Sequence, residues 1–100
     1  MTVRDIVIRF VGKKIPDNTI YKMSLDGKIS KFKVFAVYEH NHHALVVEQS
    51  TKMAQTISDP MGEFFLTPKE CVEYSIKCIK RRIEMDKQEL KRMESILNKQ

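Results

Sequence analysis

The chain has 100 residues, 42% of them hydrophobic and 31% charged, which describes one folded domain and excludes a disordered tail. Lys and Arg exceed Asp and Glu by 18 to 13, a net charge of +5. That balance favours anionic partners, although it also falls within the range that keeps small domains soluble.

At the N-terminal end, Arg4, Asp5 and Arg9 interrupt residues 1–10, so no uninterrupted apolar signal segment is expected there. No apolar run approaches 18 residues, so no membrane span is expected. "DIVIRFV" alternates, with Ile6, Ile8 and Phe10 on one side and Val7, Arg9 and Val11 on the other, and predicts a first strand. "GKKIPDN" then reads as a loop. In "TIYKMSLDGKISKFKVFAVYE", Asp26-Gly27 is the dipeptide of a two-residue hairpin turn between two β-prone runs. Beyond it, Phe32, Val34, Ala36 and Tyr38 share one face and Lys31, Lys33, Phe35 and Val37 the other. The lysine-bearing face is expected to be solvated at one end and covered at the other.

"HNHH", with His40, His42 and His43, breaks the pattern before a strand at "ALVVEQ". Three ligands drawn from four successive residues do not readily wrap a tetrahedral zinc ion. The chain has no CxxC, HxxxH or HExxH spacing, and the histidine string has no helical histidine to complete a nuclease module. A solvated hairpin connection is the simpler assignment, and no metal or cofactor is expected. "STKMAQTISDPMG" is ambiguous apart from a turn at Asp59-Pro60 and Gly62, and "EFFL" fits a last short strand. Residues 1–66 therefore read as a β-rich core of about five strands, in a small antiparallel sheet or barrel.

At Thr67 the period changes. Thr67 fits the N-cap, Pro68 the first helical position and Glu70 a capping box, with Leu66 and Cys71 placed as a hydrophobic staple. No Gly or Pro follows Pro68, so one helix over 67–98, about 45 Å long, completes an α+β domain. Cys71 and Cys78 lie about 10 Å apart on it, too far for a disulfide, which suits a reducing, cytoplasmic compartment. No nucleophile motif or phosphate-binding glycine loop is present, and a non-enzymatic role is expected.

Val72, Ile76, Ile79, Ile83, Asp86, Leu90, Met93 and Leu97 follow one another at intervals of 4, 3, 4, 3, 4, 3 and 4, a heptad seam. The part from Val72 to about Ile83 is expected to cover one sheet face. The part bearing Ile83, Asp86, Leu90, Met93 and Leu97 is expected to mediate homo-oligomerisation. A parallel pair would set Arg82 against Lys87 and Glu89 against Glu94, both like-charged, whereas an antiparallel pair sets Arg82 against Glu89 and Lys80 against Glu94. Asp86 then lies near the crossing point, its alternative being an exposed carboxylate paired with Arg82. Lys77, Lys80, Arg81 and Arg82, with Lys31 and Lys33 from the sheet, are candidate phosphate ligands. Tyr74, Tyr38 or Phe35 would stack on a base.

The run from "DGKISKFKVFAV" to "EFFLTPKECVEYSIKCIKRRIEMDKQEL" resembles small phage-encoded accessory proteins with a strand-rich core and a long charged terminal helix. Some proteins of that outline are anti-defence proteins, including oligomeric sponges for immune nucleotide signals. The resemblance implies a non-enzymatic, oligomeric binder of an anionic small molecule or acidic protein surface, in the cytoplasm of a host cell. A nucleic-acid-binding regulator using the same basic residues is the alternative.

Overall fold

A computed structural model describes residues 1–24, 26–59 and 62–99. It is an α+β fold: helix α1 (Val3–Val11), a turn at Pro16–Asn18, strands β1 (Thr19–Met23), β2 (Ile29–Tyr38), β3 (His43–Glu48) and β4 (Ala54–Ser58), then helix α2 (Pro68–Asn98). The strands form one open antiparallel sheet in the order β1-β2-β3-β4.

The segment "DIVIRFV" is a helix, not the first strand that its alternation suggests. Thr2 and Asp5 form a reciprocal capping box: the Asp5 backbone N–H donates to the Thr2 hydroxyl at 3.3 Å and the Thr2 backbone N–H to the Asp5 carboxylate at 3.0 Å. Val3, Ile6, Val7 and Phe10 then fall on one helical stripe. The first three are buried and Phe10 is half-buried, while Ile8 and Val11 stay exposed. Lys13, with φ +54, takes the left-handed position after the helix, and Lys14 donates to the Arg9 carbonyl and Lys13 to the Phe10 carbonyl, a Schellman closure.

With α1 withdrawn from the β count, the sheet has four strands. "EFFL" contributes a single bridge, Phe65 to Tyr21, along the outer edge of β1. The β1–β2 connection is also longer than a two-residue turn. Met23 pairs with Ile29, leaving residues 24–28 between the strands, with Gly27 at φ +82 and the Ser24 N–H bonded to the Lys28 carbonyl. The ambiguous stretch after Gln49 contains β4, and the turn read at Asp59-Pro60 lies partly outside the described residues.

A bulge at Phe35 explains the mixed character of β2. Val34 pairs with Val46 and Ala36 with Leu45, so two steps on β2 match one on β3. Before the bulge the even residues Phe32 and Val34 face the core. After it Val37, paired with Ala44, turns inward and Tyr38 outward. The lysine-bearing face is therefore solvated at Lys31 and Lys33, and Val37 reaches cover.

The core joins Val3 and Ile6 of α1 to Ile15, Ile20, Phe32, Val34, Ala44, Val46, Ile57 and Phe64. Phe64 meets Phe32 edge-on at 6.4 Å, and its N–H bonds to the Met1 carbonyl. The expectation that Val72 to Ile83 covers a sheet face is not met, because α1 already occupies the inner face. Val72, Ile76, Ile79 and Ile83 are 42–48% exposed, and Cys71 alone is buried among the described residues of α2. The helix projects from the head, giving a molecule 60 Å long and a radius of gyration of 18.3 Å. A compact domain of this length has a radius near 13 Å.

Candidate functional site

Helix α2 starts where its sequence predicts. The Thr67 hydroxyl accepts from the Glu70 N–H at 3.2 Å, Pro68 opens the first turn, and Cys71 is fully buried beneath it. Beyond Cys71, every residue from Val72 to Lys99 except Ser75 is exposed. The apolar seam continues outward through Leu90, Met93 and Leu97, which are 58%, 47% and 69% exposed. Ile83 and Asp86 lie on the same stripe in the middle of the rod. Asp86 forms no ion pair with Arg82, so that alternative for its carboxylate is not realised. Among the described residues the α2 ion pairs are Lys69 with Glu73 at 3.9 Å and Arg92 with Glu89 at 2.6 Å, both on the surface.

The proximal seam forms one wall of an open groove of about 700 Å³. Val72, Ile76 and Ile79 lie on the helix side, and Met23, Gly62 and Phe65 on the side of the head. Phe65 is held there by its two backbone bonds to Tyr21 and packs against the Tyr74 ring, centroids 5.2 Å apart. Hydrogen bonding to Cys78 and the neighbouring Cys78 and Glu63 charges push the Tyr74 phenol above its ordinary value. The head side of this groove was not legible as a site. Its one signal is the Phe64-Phe65 pair after a predicted strand break, of which only one ring can enter the core.

The predicted basic residues do not converge in one place. Arg82 and Tyr74 line the α2 groove, whereas Lys77, Lys80 and Arg81 stand on the helix outside it. Lys31 and Lys33 lie on the open sheet face, beside a separate cleft of about 490 Å³ that also includes Tyr21, Asp17 and Leu66. Phe35 and Tyr38 are 61% and 50% exposed on the outside of β2. Lys77, Lys80, Arg81 and Arg82 form no ion pair among the described residues.

The histidine string is the connection from β2 to β3. His40 and His42 lie in the turn, His42 at φ +51, and His43 opens β3 opposite Tyr38. The His42 Nδ1 is buried without a hydrogen-bond partner among the described residues, near Val7, Ile8, Val11 and Glu39. Among the described residues no group of three His, Cys, Asp or Glu side chains is placed to hold a metal ion. Both cysteines are free thiols, and burial, followed by the Glu70 charge, raises the pKa of Cys71. No described helix is long and apolar enough to cross a membrane.

Comparison with known proteins yields no matching family model, no matching curated protein and no matching solved structure.

Proposed function

We propose that the chain is a non-enzymatic binding protein that self-associates through α2 and engages an anionic ligand, of nucleotide type or on an acidic protein face, with its basic residues. The observation that carries this reading is the uncovered stripe on α2. Seven apolar residues from Val72 to Leu97 stand about half exposed along one line, and the head offers nothing to cover the distal ones. Completing the burial of each gains roughly 1 kcal/mol, so a second helix with the same stripe is a strong partner. Exposed apolar surface on this scale otherwise invites aggregation.

A second copy fits by charge as well. Antiparallel packing can set Arg82 against Glu89 or Lys80 against Glu94, depending on register, whereas parallel packing sets like charges together. The exposed Arg92–Glu89 pair within one helix is worth only a few tenths of a kcal/mol and yields readily to a partner. Lys77 and Arg81 fall on the side of α2 away from the seam, so pairing leaves them available to an anion. A phage-type accessory or anti-defence role belongs to the same proposal, on the strength of the sequence outline.

Native mass spectrometry of the protein purified from cell extract tests subunit number and retained ligand together. A homo-oligomer carrying a small anion supports the reading. A strict monomer at every concentration overturns the assembly. Random-sequence DNA binding that falls steeply with salt, without saturable nucleotide binding, transfers the basic residues to a nucleic-acid regulator.

A further inference from the structure

We infer that the groove between α2 and the head is the seat of the C-terminal turns of a second copy's α2, so that each head grips the end of its partner's helix. This rests on the helix-pairing proposal and goes beyond it by fixing the register and assigning the groove an occupant.

The register follows from the overlap of the two seams. The antiparallel alignment in which the most seam residues are opposed is centred between Glu84 and Met85, and it brings Arg82 to within two residues of directly opposite Glu89. In that alignment Ile83 meets Asp86, Ile79 meets Leu90, Ile76 meets Met93 and Val72 meets Leu97 of the other copy. Every seam residue from 72 to 97 has an opposite, and none is left over at either end. Lys80 and Glu94 are centred on Lys87 and are not directly opposed in this register.

The groove lies where this alignment delivers the partner. Val72, Ile76 and Ile79, which form its helix wall, are the residues that oppose Leu97, Met93 and Leu90. The second helix arriving over that wall meets Met23 and Phe65 across the groove. Leu97 is the most exposed residue of the seam at 69%, because its own chain has no neighbour to offer it. Beside Val72 and Phe65 of the partner it gains one. The antiparallel arrangement also brings the negative end of one helix dipole to the positive end of the other.

Site-directed cross-linking in the full chain tests this, in a Cys78→Ser background that leaves the buried Cys71 as the only native thiol. Val72→Cys is mixed with Leu97→Cys, and separately Met23→Cys with Leu97→Cys, before treatment with a short bismaleimide. Both mixtures are expected to give covalent heterodimers as a major product, and Leu97→Cys alone is expected to give little. Efficient cross-linking of Leu97→Cys to itself indicates parallel helices and overturns the inference while self-association stands. A 72–97 product without a 23–97 product overturns the seating in the groove. Monomers by sedimentation at all concentrations overturn the helix pairing itself.

Discussion

Thr2 and Asp5 each satisfy the other's backbone N–H, and that exchange is what starts α1. Thr2→Ala should cost about 1 kcal/mol, read as a lower urea midpoint at unchanged slope. The same contacts, first the Thr2 N–H and then its hydroxyl, hold the Asp5 carboxyl below the usual carboxylate range. A depressed folded pKa means the contribution is present above the unfolded value, near pH 4, and is lost as pH falls through the folded one. Stability should therefore decline below about pH 4, and Asp5→Asn should flatten part of that decline, by well under 1 kcal/mol for so exposed a group. Cys71 gives the opposite case. Its thiol is fully buried and its pKa raised, by burial and then by Glu70, so the nucleophilic thiolate is doubly disfavoured. In the Cys78→Ser protein, thiol modification should proceed only at the rate at which the Cys71 region opens, and should become fast in denaturant. Rapid modification of the folded protein would contradict that burial.

Among the elements, the ones with a local chemical signature were legible. Thr67-Pro68 starts α2, and the histidine string separates β2 from β3. Helix α1 was not, because Val3, Ile6, Val7, Ile8 and Val11 are β-branched and Ile6, Ile8 and Phe10 alternate. The stripe of Val3, Ile6, Val7 and Phe10 was equally present, and "TVRD" at the cap was the deciding evidence. That one misassignment also misplaced α2: with no helix expected in front of the sheet, the proximal seam was left to cover it. The Phe35 bulge was hidden for a different reason, since apolar residues flank it on both faces and no alternation marks the extra residue. What stayed legible in α2 was its spacing, and this supports a test at the same scale. Asp86 is the single polar member of the seam. A polar residue inside a helix pair lowers its stability and helps fix its register. Asp86→Leu should therefore tighten self-association at least tenfold in sedimentation equilibrium, or change the subunit number; unchanged association would remove Asp86 from the interface.

As a whole, the molecule is a packed head from which most of α2 projects as a rod. The core cluster draws on α1, the sheet, Ile15 and Phe64, and takes no side chain from α2 beyond the anchor at Cys71. The rod beyond is held by its own backbone hydrogen bonds, and it lacks the packing of an amphipathic face that supplies most helical stability in proteins. Its order should therefore depend on association while that of the head does not. Leu90→Glu places a charge in the distal seam, opposite Ile79 in the antiparallel alignment, without touching the core. The variant should sediment as a monomer and lose part of the helical circular dichroism at 222 nm. Its head should unfold within about 0.5 kcal/mol of the parent, the usual range for a surface substitution away from special contacts. In the parent, dilution should produce the same loss of helical signal reversibly, because mass action couples folding of the rod to protein concentration. A head destabilised by several kcal/mol in Leu90→Glu would mean that the distal helix supports the core, and would remove the physical basis for treating α2 as an arm held out for a partner.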